Sequence, residues 1–170
     1  MRAATPDSLL DRISLAIGRA TAWLTLCMVV VTFIVVIMRY VFSAGLIWVQ
    51  ESVVWMHAVV FMLGAAYALR DDEHVRVDIF YRKMSDQGRA WVDLIGVMIF
   101  LFPLCAFLAW KSFDFVTQSW SLSEASRESG GLPYPFLPIL KSVLLLMPVT
   151  VALQGLSIFL DALRKLRRRR

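Results

Sequence analysis

The chain has 170 residues, of which 59% are hydrophobic and 18% are charged, and its mean hydropathy is +0.67. Soluble domains carry roughly 25% charged residues, so this composition indicates a protein that resides in a bilayer. Much of the net charge of +5 comes from six Lys and Arg residues within 164–170. A basic tail directly after an apolar segment is typical of a cytoplasmic anchor to anionic lipid. We favour this reading over nucleic-acid binding.

Ahead of the first long apolar segment, Leu9, Leu10, Ile13 and Ile17 share one helical face. This pattern favours a short helix lying on the membrane surface, and a solvated, unstructured segment is the alternative. The apolar segment 20–38 that follows is longer than the core of a usual signal peptide. We therefore interpret it as a retained transmembrane helix.

Four apolar segments follow one another along the chain, each long enough to cross a bilayer. Segment 20–38 contains neither charge nor proline, and as a helix it would extend about 28 Å, close to the thickness of the hydrocarbon core. The later segments are 46–69, 90–110 and 136–160. The sequence predicts an all-α integral membrane protein with four transmembrane helices in a single membrane domain.

Basic residues are distributed unequally between the two sides of this arrangement. Fourteen Lys and Arg residues fall in the N-terminal segment, the connection after the second span and the C-terminal tail, whereas three fall in the other two connections. Basic loops resist translocation and stay in the cytoplasm. We therefore expect both termini to be cytoplasmic and the connection 111–135 to lie on the outer side.

Two charged residues lie within the predicted second and fourth spans. Glu51 and Lys141 are each five residues in from the outer end of their span, and a charge at the bilayer centre costs about 2.5–3.5 kcal/mol even on lenient scales. We expect Glu51 and Lys141 to form a structural ion pair, with Arg39 nearby. The alternative makes Glu51 a cation or proton ligand, as in very small multidrug exporters.

His57 lies near the middle of the second span and could serve as a haem ligand in the membrane anchor of a redox complex. Such an anchor usually needs a second intramembrane ligand, and His74 falls in the predicted cytoplasmic connection. A neutral His57 hydrogen-bonded between helices is therefore favoured. The sequence contains no phosphate-binding loop, nucleophile elbow or metal motif. We expect neither enzyme activity nor a cofactor.

Three groups of residues occur in an order and spacing that resemble the small permease (DctQ-like) family of TRAP transporters over nearly the whole chain. The groups are Arg39-Tyr40-Val41-Phe42 with Trp48-Val49-Gln50-Glu51, Ala65-Ala66-Tyr67-Ala68-Leu69 with His74-Val75-Arg76-Val77-Asp78, and Glu124-Ala125-Ser126 with Gly131-Leu132-Pro133 and Pro138. The chain departs from the family pattern at Gln50, where a second acidic residue is frequent, and at Glu73, where a glycine-containing turn is common.

The resemblance implies a tripartite importer in the bacterial inner membrane. A periplasmic solute-binding protein would deliver the substrate, usually a small organic anion such as a carboxylate. A large permease subunit, DctM-like, would carry the substrate and sodium sites. This chain would then be a multi-pass, non-catalytic scaffold for the large subunit.

Two connections are candidates for partner contacts. In the outer connection 111–135, the candidate residues for docking the binding protein are Trp120, Glu124, Arg127 and Glu128, and a simple interfacial helix is the alternative. The cytoplasmic connection contains an elbow at 71–78 that includes His74 and Asp78. Whether these two residues hold the elbow or contact the large subunit stays open.

Overall fold

The computed structural model describes residues 9–70 and 84–167, and they form four long helices. The helices are α1 (Leu9–Tyr40), α2 (Ile47–Arg70), α3 (Asp86–Ser121) and α4 (Phe136–Arg167). All four are long and apolar enough to cross a membrane, which confirms the predicted all-α, multi-pass membrane fold. The predicted elbow with His74 and Asp78 lies outside the described residues.

The N-terminal segment does not form a separate helix on the membrane surface, because Leu9 begins the same continuous helix that spans the membrane. The Ser14 hydroxyl is buried and donates a hydrogen bond to Gln154 Oε1 at 2.7 Å. One turn later, a Cβ added to Gly18 would lie 2.2 Å from the Tyr67 ring. The segment therefore packs on α2 and α4, so the expectation of an interfacial helix was wrong.

Helix α3 contains a π-helical turn at Val97–Leu101. The turn ends where the Phe102 N–H donates to the Val97 carbonyl, directly before Pro103. A proline has no N–H, and its ring conflicts with the carbonyl one turn upstream, so helices commonly adjust near such a residue. The turn also places Leu101 against α4, where a Cβ on Gly155 would lie only 2.6 Å from Leu101 Cδ2.

The helices stand side by side in the order α1, α2, α4, α3. Each packs along its neighbour in that row, and within the described residues α3 has no extended contact with α1 or α2. Helix α1 also reaches α4, through the Ser14 contact with Gln154. Because α4 contacts all three of the other helices, it has the largest buried share of the four. The protein is therefore an open layer of helices.

The buried face of α4 carries small and polar side chains. Thr150, Gln154, Gly155 and Ser157 are all buried, and each of the polar groups among them has a hydrogen-bond partner. Small and hydroxyl side chains are typical of helix contacts within membranes, where close backbone approach replaces the hydrophobic effect. Helix α4 is thus the element on which the other helices are assembled.

Candidate functional site

The segment 122–135 between α3 and α4, called the outer loop here, is held against α2 by Glu51. The Ser126 hydroxyl donates to Glu51 Oε1, and the Leu132 N–H donates to Glu51 Oε2 at 2.6 Å. The two loop residues are joined to each other, since the Ser126 N–H donates to the Leu132 carbonyl at 3.1 Å. The Glu51 carboxylate therefore holds both the first half of the outer loop, at Ser126, and the second half, at Leu132.

Gly131 lies beside the contact between the outer loop and Glu51. A Cβ at this position would lie 2.3 Å from Ser126 Oγ and 2.7 Å from Glu51 Oε2. The Gly131 N–H donates to the Glu128 carbonyl, and the Glu128 N–H donates to Ser126 Oγ. Only glycine leaves space for the carboxylate to reach its two donors.

A second contact joins the outer loop to α4. The Lys141 ammonium pairs with Glu124, and the buried Ser119 hydroxyl donates to the same carboxylate at 2.7 Å. The hydrogen bond from Lys141, followed by that from Ser119, holds the pKa of Glu124 below its ordinary value of 4.5. The Lys141 ammonium also lies 4.1 Å from the centre of the Phe115 ring. The lysine charge is thus neutralised at the point where the loop begins.

Two tryptophans fasten the ends of the outer loop. The Trp55 indole N–H on α2 donates to the Phe136 carbonyl at the start of α4, at 3.1 Å. The Trp120 indole N–H near the end of α3 donates to Ser142 Oγ at 2.9 Å. The Trp120 ring also meets Tyr134 edge to face, with 6.3 Å between centroids. These contacts reinforce the two carboxylate contacts.

The expected ion pair between Glu51 and Lys141 is not formed, because the two residues lie at different levels. The contact between Trp55 and the Phe136 carbonyl sets those two residues at about the same height. Glu51 precedes Trp55 by four residues, and Lys141 follows Phe136 by five. Because the second and fourth spans run in the same direction, the offset along the helix axes is about 13 Å. Glu51 and Lys141 therefore bind different parts of the outer loop. Arg39, which was expected near the pair, is exposed in the last turn of α1.

The four residues predicted for partner docking fall into two classes. Trp120 and Glu124 are engaged in contacts within the chain, which gives them a structural role. Arg127 and Glu128 are exposed. They stand at a groove of about 330 Å³ between α2, the outer loop and α4. These two side chains are available to a partner.

The sequence pattern did not indicate that Ser119, Ser126, Gly131 and the Leu132 N–H form part of this site. Ser126, Gly131 and Leu132 contributed to the family resemblance, which assigned them no structural role. One feature of the sequence could have indicated this site. An acidic residue near a membrane surface needs hydrogen-bond donors, and the loop contains a hydroxyl residue and a glycine that could supply them and allow close approach. The partners of Glu51 lie in the loop and not, as predicted, on another helix.

His57 lies at the cleft between α1 and α2 but is not buried between these helices, contrary to expectation. Its side chain is exposed on α2, beside an apolar cleft of about 440 Å³ that Met28, Val29 and Thr32 of α1 also line. In the part of the chain that the structure describes, no three His, Cys, Asp or Glu side chains converge to hold a metal ion. His57 is therefore a polar group on the outside of the helix layer.

Residues 28–168 match the sequence profile of the DctQ component of tripartite ATP-independent periplasmic transporters. The chain belongs to this family. The match includes Glu51, Lys141 and the whole outer loop, and it confirms the resemblance found in the sequence. The family is that of the small permease component of TRAP transporters.

A curated relative agrees with this assignment. The chain is 36% identical over 70 residues to the C4-dicarboxylate TRAP transporter small permease protein DctQ of Vibrio cholerae serotype O1. The aligned segment covers 41% of this chain and 30% of the relative's length.

Proposed function

We propose that this subunit is a non-catalytic scaffold in a binding-protein-dependent, sodium-coupled importer of small organic anions in the bacterial inner membrane. The large permease subunit would carry the substrate and sodium sites. The outer loop would help to dock the periplasmic binding protein. The relative named for C4-dicarboxylate transport supports a dicarboxylate as the first substrate to test.

The scaffold role is supported by the hydrogen bonds that Glu51 accepts. Both of its oxygens accept hydrogen bonds from the outer loop, and it lies in the first two turns of α2. A carboxylate that carries a cation or proton across a membrane must be reachable from both sides. The position and the partners of Glu51 therefore favour a structural role over an autonomous exporter.

The docking role rests on the exposed pair Arg127 and Glu128. The contacts made by Glu51 and Glu124 fix the loop that carries this pair. A loop that is ordered before binding loses less conformational entropy when the partner arrives than a disordered one would. Opposite charges beside an apolar groove also suit the polar rim of a transient interface.

The test is uptake of radiolabelled succinate into proteoliposomes that contain both permease subunits, with purified binding protein outside. Reversing both charges, Arg127→Glu with Glu128→Lys, should raise the binding-protein concentration needed for half-maximal uptake by about tenfold. The matched control is Lys165→Glu, an exposed charge at the opposite end of α4. Uptake should also stop without an inward sodium gradient.

Copurification of the two permease subunits separates docking from assembly. It should be unchanged in the charge-reversal variant, because the proposal places the exposed Arg127 and Glu128 against the binding protein and not against the large subunit. An unchanged half-maximal concentration would refute docking at the outer loop. Uptake that persists without sodium would refute the coupling, and uptake without the large subunit would refute the scaffold role.

A further inference from the structure

We infer that the surface of α2 centred on His57 binds a transmembrane helix of the large permease subunit, and that this helix presents a hydrogen-bonding side chain at the same depth. This surface, called the His57 face here, consists of Val54, His57, Phe61 and Gly64. The inference rests on the proposed scaffold function and specifies where the scaffold meets its partner.

The first argument is the position of the imidazole. His57 is the eleventh of the 24 residues of α2, so it lies near the middle of the span. Its side chain is exposed, and acyl chains offer it no hydrogen-bond partner. The nearby Thr32 hydroxyl donates to the Met28 carbonyl of its own helix at 2.7 Å. A polar group in hydrocarbon costs several kcal/mol unless another group satisfies it, so a polar side chain from another helix is the chemically suitable partner.

The second argument is the shape of the surface around His57. Val54, His57, Phe61 and Gly64 follow a spacing of three, four and three residues, which places them on one side of a helix. Val54 is 63% exposed and Phe61 is 74% exposed. The cleft between α1 and α2 runs beside Val54 and His57. A ridge of side chains from a neighbouring helix would fit into this cleft.

The third argument is the open space at Gly64. No atom lies within 4 Å of the position that a Cβ would occupy there. Small residues at membrane helix contacts let two backbones approach closely. The glycine lies two turns along the same side as His57, so a close-approach point and a polar anchor coincide on one surface. Lipid would require neither feature.

A large subunit fits this surface better than a second copy of the chain. A symmetric pair would bring two imidazoles together, and two neutral imidazoles can share only one hydrogen bond between them. The scaffold role, by contrast, requires a stable contact with a different membrane protein. The α1–α2 side of the open helix layer is also left uncovered by the chain itself.

The first experiment coexpresses the chain with an affinity-tagged large permease subunit and measures the amount that copurifies in mild detergent. Gly64→Leu should reduce copurification by at least about tenfold, because the added side chain projects into the partner's position. The matched control is Gly96→Leu on α3, where a Cβ also meets nothing within 4 Å. Neither change overlaps an atom of the chain at the Cβ, and gel-filtration profiles check that both variants fold.

His57 is tested in the same assay. His57→Leu should lower copurification, and His57→Gln should restore most of it because the amide can hydrogen-bond. A photo-crosslinking amino acid at Phe61 should label the large subunit, whereas the same group at Phe107 on α3, which is 53% exposed, should not.

The outcomes separate this inference from the proposed function. If the wild-type chain copurifies and Gly64→Leu copurifies equally well, the His57 face is not the interface and the scaffold role stands. A crosslinked product of twice the mass of the chain would assign the face to a second copy and overturn the inference. If the wild-type chain does not copurify with the large subunit at all, the scaffold function fails and the inference with it.

Discussion

Replacing Gly131 with alanine tests whether the outer loop depends on its contact with Glu51. The added Cβ would lie 2.3 Å from Ser126 Oγ, 2.6 Å from Ser126 Cβ and 2.7 Å from Glu51 Oε2. These separations are far shorter than a van der Waals contact. Because Ser126 Cβ is attached directly to the backbone, rotation of the serine side chain cannot relieve the overlap. The backbone at Gly131 must therefore move away from Ser126, which separates the two donors that share Glu51.

The size of the effect follows from the contacts that this movement breaks. Hydrogen bonds to a charged acceptor contribute about 1.5–3 kcal/mol each, and Glu51 accepts two from the loop. Glu51 is only half-buried, so water replaces part of what is lost. Overpacking that is relieved by backbone shifts costs about 1–3 kcal/mol. We expect the closed conformation of the loop to lose about 2–4 kcal/mol.

Hydrogen exchange at the Leu132 amide measures this loss directly, since that N–H donates to Glu51. A destabilisation of 2–4 kcal/mol corresponds to exchange that is about 30-fold to 900-fold faster, when local opening controls the rate. The control is Gly45→Ala, because a Cβ at Gly45 meets nothing within 4 Å. An unchanged exchange rate at the Leu132 amide in Gly131→Ala would show that the closed loop does not depend on its contact with Glu51.

Two further predictions concern the other contacts of the fold. Hydrogen bonding to Lys141 lowers the pKa of Glu124 in the folded protein below 4.5. The ionised Glu124 therefore stabilises the fold fully when the pH is above its pKa in the unfolded chain, and this contribution disappears as the pH falls through its pKa in the folded protein. The difference in thermal stability between wild type and Glu124→Gln in detergent should therefore be full at pH 7 and shrink below pH 4.5; a constant difference would contradict this. Gly18→Ala should lower the stability by about 1–3 kcal/mol, because the Tyr67 ring must move, whereas Gly45→Ala should leave the melting temperature unchanged.

The sequence was sufficient to predict the four helices because bilayer thickness sets the minimum length of a transmembrane helix. Segments of 19 to 25 apolar residues leave few alternatives in a membrane, where every backbone group must be satisfied within its own helix. The N-terminal segment shows the limit of this argument. An amphipathic face can lie on lipid or on another helix, and only the contacts of Ser14 and Gly18 decide between the two.

The wrong partner for Glu51 has a different cause. Residue counts from predicted span ends placed Glu51 and Lys141 at one level. The real stagger of α2 and α4 depends on tertiary contacts, such as Trp55 with Phe136. Hydropathy reports which residues are in the membrane, and it does not report how one helix is shifted along another. The loop partners of Glu51 are also local backbone and hydroxyl groups that have no charge to reveal them.

The open layer explains why the outer loop needs two contacts. Helices α2 and α3 lie on opposite sides of α4, and in the described residues they have no extended contact with each other. The loop that follows α3 reaches α2 through Glu51 and α4 through Lys141. It is therefore a bridge across the layer at this end. Loss of the Glu51 contact should free the loop from α2, while the Glu124–Lys141 pair keeps it on α4. Gly131→Ala should therefore perturb binding-protein docking and leave the His57 face intact.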